Sequence, residues 1–218
     1  VAAAVDLTPP AVFDVRPIAN SLFNISNIVT ISANVTDATA VSVVRANITM
    51  PNQSTQTFTL VKDGATDKYN TTFIAPALLG NYNVTFFAND TSNNINNTIR
   101  TNFTVVDVVS PNLTIIRCTP SSGNISQSVV CKANVTDDVG ISTVIANVTL
   151  PNGTTIQQTI LNSSVTYNFT FTNTVIPGLY NLTWRANDTS NNIQTAVDNF
   201  TITDVTVPAI TLNAPVNN

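Results

Sequence analysis

The sequence contains no histidine, and all twelve of its acidic residues are aspartate, so glutamate is absent too. General acid–base catalysis draws mainly on His and Glu. Serines here have no neighbouring base to activate them, and the six glycines are scattered through turns instead of gathered in a phosphate-binding loop. Only an aspartate-based enzyme is conceivable, and a non-enzymatic role is expected. Charge is scarce, at 9% of residues, with eight Lys and Arg against twelve Asp for a net −4. Such a balance leaves no basic footprint for nucleic acid. Two cysteines without a histidine do not compose a zinc site. Hydrophobic residues reach 43% but are dispersed. No run approaches the ~20 needed to cross a bilayer. The opening VAAAV is too short for a signal-peptide core and lacks a basic flank, so any targeting segment is expected to lie outside these residues or to have been removed.

What is abundant points to strands. Threonine numbers 35, valine and isoleucine are frequent and strong helix formers are few, which favours an all-β protein. The chain also repeats itself. YNVTFFANDTSNNI at 82–95 returns as YNLTWRANDTSNNI at 180–193 with eleven of fourteen positions identical. ISANVTDATAVSVVRANITMPN at 31–52 matches CKANVTDDVGISTVIANVTLPN at 131–152, and NFTVVD at 102 matches NFTITD at 199. A period near 98 residues is one duplicated domain. Three leaders occupy equivalent places, VDLTPPAVF at 5, VDVVSPNLTI at 106 and TDVTVPAITL at 203. The expected organisation is therefore domain one at 1–107 with an N-terminal extension, domain two at 108–204, and at 205–218 a strand resembling the start of a further repeat.

Period-2 alternation is clear within each copy. Val129, Cys131, Ala133 and Val135 share one face of a strand, with Val130, Lys132, Asn134 and Thr136 on the other. Tyr180, Leu182, Trp184 and Ala186 alternate likewise with Asn181, Thr183, Arg185 and Asn187. Seven strands are expected in the second copy, near 112–118, 128–136, 141–150, 154–161, 166–172, 179–187 and 195–203. Cys118 and Cys131 sit on two apolar pieces flanking a polar turn, a spacing suited to a hairpin disulfide, with a pair of buried free thiols as the alternative. A disulfide points outside the cytoplasm.

Seven short strands per copy, with the words ANVTDDVGI, VTLPNGT, PGLYNLTWRANDTSNN and NFTITD, resemble the tandem immunoglobulin-like repeats of archaeal and bacterial surface and filament glycoproteins. The resemblance spans nearly the whole chain and implies two seven-stranded β-sandwiches in tandem with a C-terminal extra strand. It places Tyr82 and Tyr180 at the tyrosine-corner position of the sixth strand. It also marks a departure. The sixth strand offers Trp184 and no cysteine, so Cys118–Cys131 must tie first strand to second, and with Pro17 and Ile31 near those places domain one is held by packing alone.

The sequence holds nineteen Asn-X-Ser/Thr acceptor sequons: Asn24, Asn34, Asn47, Asn52, Asn70, Asn83, Asn89, Asn96, Asn102, Asn112, Asn124, Asn134, Asn147, Asn152, Asn162, Asn168, Asn181, Asn187 and Asn199. Random placement of 31 Asn and 50 Ser or Thr in 218 residues gives 31 × 50/218, about seven. In twelve the middle residue is apolar, which a polar–apolar–polar strand also produces. Asparagine is nonetheless a poor strand residue, and the excess favours covalent N-glycans at several sites, such as Asn134, Asn147, Asn168 and Asn181.

The aspartates gather in turns. Asp107, Asp137, Asp138 and Asp188 are expected at one junction, and Asp6, Asp37 and Asp90 form a thinner set in domain one. Carboxylates with Asn and carbonyl oxygens are the ligands Ca²⁺ takes. Ordinary turn chemistry, with Asp bonding nearby backbone, is the alternative. No other cofactor is expected. The function expected is a structural segment of an extracellular filament, stalk or surface layer, whose partners are further copies of itself joined head to tail through terminal strands. The rival is an adhesin or carbohydrate-binding module. Clustered aromatics in loops would favour it, but Phe169, Phe171, Trp184 and Phe200 alternate toward the core.

Overall fold

The structure is a computed structural model and describes residues 5–209. It contains only strands and connections, and it divides into two compact units, Val1–Val108 and Val109–Asn218. No helix among the described residues is long and apolar enough to cross a membrane.

The first unit comprises β1 (Ala11–Arg16), β2 (Ser21–Asn24), β3 (Ile28–Thr36), β4 (Val41–Thr49), β5 (Thr55–Lys62), β6 (Lys68–Ile74), β7 (Gly80–Asp90), β8 (Ile95–Asn96) and β9 (Arg100–Val106). Its strands follow the order β1-β3-β6-β5-β4-β7-β9-β2, with β8 beside β7. The two layers join because β5 pairs with β4 over Thr55–Leu60 and then with β6 at Val61 and Lys62. The second unit comprises β10 (Asn112–Thr119), β11 (Ser122–Asn124), β12 (Val129–Thr136), β13 (Ile141–Thr149), β14 (Thr155–Gln157), β15 (Leu161–Ser163), β16 (Thr166–Phe171), β17 (Gly178–Asp188) and β18 (Ile193–Thr203). Here the layers are separate, β10-β12-β16-β15 and β11-β18-β17-β13-β14. Each unit is a β-sandwich of the expected class.

The seven-strand expectation needs two corrections. The first strand is split in each unit: β1 and β10 pair antiparallel with β3 and β12, whereas β2 and β11 join the other layer, parallel to β9 and β18. Pro17 and Pro120 stand at the split, and a proline has no N–H to continue a ladder. The strand expected at 154–161 is also two pieces, β14 on one layer and β15 on the other. The segment 205–209 is exposed and irregular, and the terminal strand expected beyond it lies outside the described residues.

Alternation drives the packing. In β7 the residues Tyr82, Val84, Phe86 and Ala88 are fully buried, and in β17 their counterparts Tyr180, Leu182, Trp184 and Ala186 are too. Tyr82 stacks on Phe103 at 4.9 Å between ring centroids, as Tyr180 stacks on Phe200 at 4.9 Å. Each tyrosine then spends its hydroxyl on a carbonyl four residues back, Leu78 at 2.7 Å and Ile176 at 2.8 Å. This is the corner bond the resemblance implied, and it satisfies a polar tip whose ring is buried. Burial pushes the Tyr82 hydroxyl above its ordinary pKa.

Cys118 lies directly opposite Cys131 in the β10–β12 register, and the two are joined as a disulfide. It ties first strand to second within one layer, as expected. In the first unit Arg16 pairs with Ser32 and no bond covers the same place. Both first strands carry a bulge, between Phe13 and Arg16 and between Thr114 and Arg117. Asp14 and Ile115 adopt φ of 49° there. For the β-branched Ile115 that conformation is strained, whereas an aspartate such as Asp14 tolerates it.

Candidate functional site

Two candidate sites follow from these strands, an acidic apex and the sequon-bearing faces. At the apex β7 ends on Asp90, buried at 1% exposure. Its Oδ1 accepts hydrogen bonds from the backbone N–H groups of Ser92 and Asn94, both at 2.8 Å, and its Oδ2 accepts one from Asn94 Nδ2 at 2.7 Å. Burial alone would raise the Asp90 pKa. The bonds from Asn94, Ser92 and Asn93 outweigh it and hold the carboxyl below its ordinary value of 3.8. Asn94 Nδ2 also reaches the Asp6 carbonyl at 3.1 Å.

Asp37 follows β3. It accepts from the Thr39 N–H at 2.8 Å, and the Thr39 hydroxyl lies 2.8 Å from Asp37 Oδ1 and 2.9 Å from Asp6 Oδ2. Oxygens of Asp6, Asp37 and Asp90 come within 4.8 Å of one another. The donors reaching them are backbone N–H groups and the neutral side chains Thr39 and Asn94, so three carboxylates meet without a cationic side chain among those donors. Such a set is all hard oxygen, the chemistry of a Ca²⁺ ligand set, and equally that of turn caps.

The second unit repeats the turn. Asp188 accepts from the N–H groups of Ser190 and Asn192 at 2.8 Å and from Asn192 Nδ2 at 2.8 Å. Asp137 accepts from Val139 and Gly140 at 2.9 Å. Oxygens of Asp137 and Asp188 also lie within 4.8 Å. Asp138 is exposed and outside that group. Asp107 belongs to the first unit, one residue before its end, and in the repeat it takes the place of Asp6. TDDVG outweighs the lone Asp37 in a count of acids, yet only one of its two aspartates turns inward.

The sequons occupy the opposite chemistry. Of the twelve apolar middle residues all but Leu113 and Ile125 are buried, while none of the nineteen asparagines is. Register then adds what composition does not show. Asn47 faces Thr85 while Thr49 faces Asn83, so two sequons on β4 and β7 pair reciprocally. Asn147 and Thr149 on β13 meet Thr183 and Asn181 in the same way, and Asn112 and Thr114 on β10 meet Thr136 and Asn134. Asn83 directly opposes Asn102, and Asn181 opposes Asn199.

Some sequon side chains serve the fold. Asn96 donates from Nδ2 to the Pro10 carbonyl at 2.9 Å and accepts from Thr98, and Asn34 donates to Asp14 at 3.2 Å. The Thr57 hydroxyl donates to Asn47 at 2.8 Å, that of Thr166 to Asn134 at 2.9 Å, and the Asn20 N–H to Asn102 at 2.6 Å. Asn52, Asn83, Asn112, Asn124, Asn152, Asn162, Asn181 and Asn199 are exposed, and the remaining eleven are half-buried. A buried dry strand face under an Asn/Thr ladder could have been found by alternation alone; the pairing of one sequon with another could not.

No protein-family description matches the chain, and no curated protein does. Among solved structures it is similar to the fibronectin(III)-like modules of Clostridium thermocellum CbhA, at 18% identity and a TM-score of 0.37 over 94% of this chain and 100% of that one. It is similar to a tetra-tandem repeat in the extending region of a large adhesion protein, at 19% identity and a TM-score of 0.48, covering 89% of this chain and 49% of that one. It is also similar to the titin domains Z1Z2 solved with telethonin, at 14% identity and a TM-score of 0.44 over 92% of this chain and 100% of that one. At these identities the likeness is one of architecture.

Proposed function

We propose that the chain is a structural repeat segment of an extracellular, N-glycosylated cell-surface filament. The observation that carries this reading is the outer surface of the strands, where sequons stand over buried middle residues and pair with one another across the ladder. A sheet face so poor in charge is kept hydrated and unpaired if sugars stand on it. The disulfide supports an oxidising location. Against the carbohydrate-binding rival, Phe13 is the only exposed aromatic among the described residues, so no aromatic platform is assembled.

In this reading copies join head to tail. The segment 207–218, where Ile210, Leu212, Ala214 and Val216 alternate with Thr211 and Asn213, adds a strand to the adjacent copy. Such a contact is heterologous and does not close. Asp6, Asp37 and Asp90 would hold Ca²⁺ when present, stiffening the turns they cap, and Asp137 and Asp188 offer the matching oxygens of the second unit. Electron microscopy of the native cell surface tests the reading. Filaments with sugar density on sequon asparagines are expected, and deletion of 205–218 is expected to abolish them. A truncated chain that polymerises unchanged removes the strand-docking step. A melting temperature unaltered by Ca²⁺ or chelator removes the ion.

A further inference from the structure

The nineteen sequons do not offer a transferase the same thing. Transfer joins the asparagine Nδ2 to the anomeric carbon of a glycan activated as a polyprenyl phosphate or diphosphate ester. The Nδ2–C1 bond forms, the C1–O bond to phosphate breaks, the lipid phosphate leaves with the electron pair, and one amide proton passes to base. To place Nδ2 against C1 the enzyme has to take the acceptor tripeptide, backbone included, into its own groove.

In the middle of a sheet that backbone is already used. Asn83 lies on β7 between β4 and β9, Asn181 on β17 between β13 and β18, Asn47 on β4 between β5 and β7, and Asn147 on β13 between β14 and β17. Their side chains reach outward, but freeing their backbones means opening a core strand, which costs a large part of the whole domain's stability.

Asn52 and Asn152 differ from all of these. They sit at equivalent tips, in the turn joining β4 to β5 and the turn joining β13 to β14. Each turn is closed by two backbone bonds, Gln53 N–H to Met50 and Met50 N–H to Ser54 in the first unit, Gly153 N–H to Leu150 and Leu150 N–H to Thr154 in the second. The third turn residue is left-handed in both, Gln53 at φ 67° and Gly153 at 84°. The asparagine orients itself: Asn52 Oδ1 accepts from the Ser54 N–H at 3.1 Å and its hydroxyl at 2.6 Å, and Asn152 Oδ1 accepts from the Thr154 N–H at 3.0 Å. Both sequons are exposed throughout, and neither Nδ2 donates to any described residue.

We infer that, granted the glycosylation proposed above, sugar is transferred to the folded domains, and that Asn52 and Asn152 receive it ahead of the sequons held between two strands. The test is glycopeptide mass spectrometry of the native full chain. Occupancy at Asn52 and Asn152 is expected to exceed that at Asn47, Asn83, Asn147 and Asn181 by at least about tenfold, as the cost of opening a core strand requires. Ser54→Ala and Thr154→Ala are each expected to remove the mass of one glycan with the far-UV circular dichroism unchanged, and Ser54→Thr to retain it. Central-strand sequons filled as completely as the two turns would overturn the inference, since transfer would then precede folding. So would two empty turns beside filled strands. A native chain carrying no sugar at all refutes both this inference and the glycoprotein reading beneath it.

Discussion

Replacing Cys118 and Cys131 together with valine removes one covalent tie from one of two otherwise matching sandwiches. Valine keeps the apolar strand character of both positions, and the equivalent of Cys131 in the first unit is already a β-branched residue, Ile31. In the chain-entropy account, closing a loop with a sequence separation of 13 lowers the entropy of the unfolded state. The reduction is about 2.1 + 1.5R ln 13, close to 10 cal/mol/K, which is roughly 3 kcal/mol at 25 °C. With an m-value of about 2 kcal/mol/M the urea midpoint of the second unit falls by about 1.5 M. The sequence supplies its own reporter. The one tryptophan, Trp184, is buried in the second unit, so its fluorescence follows that unit alone while far-UV circular dichroism follows both. The expected result is an early fluorescence transition and an unmoved remainder in the dichroism. An unchanged Trp184 midpoint, or an equal shift in both units, would refute the reasoning that the tie acts locally on its own unfolded chain.

Tyr180→Phe keeps the ring stacked on Phe200 but leaves the buried side of the Ile176 carbonyl without its donor. A loss of about 1–3 kcal/mol is expected, again read from Trp184, and a change below the error of the measurement would argue that solvent replaces the bond. Asp90→Asn removes a carboxylate that two backbone N–H groups and Asn94 stabilise in its charged form. Because the folded pKa lies below the ordinary 3.8, the wild-type advantage is complete above that value and is lost as pH falls through the lower folded one. The gap in melting temperature between wild type and variant is therefore expected to be widest near neutrality and to close in acid; a gap that widens on acidification has the sign wrong.

Much of the architecture is legible in the sequence, and the reason is physical. A strand with one dry face cannot hide its period, so β7, β12 and β17 announce themselves through Tyr82 to Ala88, Val129 to Val135 and Tyr180 to Ala186. The parts that escape are those where no dry face exists. β11 is Ser-Gly-Asn, three residues with nothing to alternate, and β15 is Leu-Asn-Ser, exposed throughout. Their strand character comes from a neighbour's ladder, which depends on register across 80 residues or on a layer change. The gathering of the aspartates was legible from the turns that a sandwich brings together, but which of two neighbouring acids takes part was not. Asp137 and Asp138 are adjacent, and adjacent residues face apart, so only a bond such as that from Val139 to Asp137 decides which one counts. The cysteine pairing was legible from the spacing of two apolar strand pieces, and the structure decides against the free thiols that the sequence left open.

The parallel placement of β2 beside β9, and of β11 beside β18, has a consequence for a chain under tension. Ser21–Asn24 runs alongside Phe103–Val106 in the same direction, so once β1 has come away from β3 the chain enters β2 at one end of this pairing and leaves β9 at the other. Pulling the two ends apart slides the strands past each other along their length. The hydrogen bonds between them then carry the load together, instead of opening one after another as the rungs of an antiparallel hairpin do when it is peeled. Ser122–Asn124 and Thr201–Thr203 repeat the pairing, but β11 lies inside the loop that Cys118–Cys131 closes, so in the second unit the disulfide carries the load past it and only the first unit exposes its parallel pair to shear.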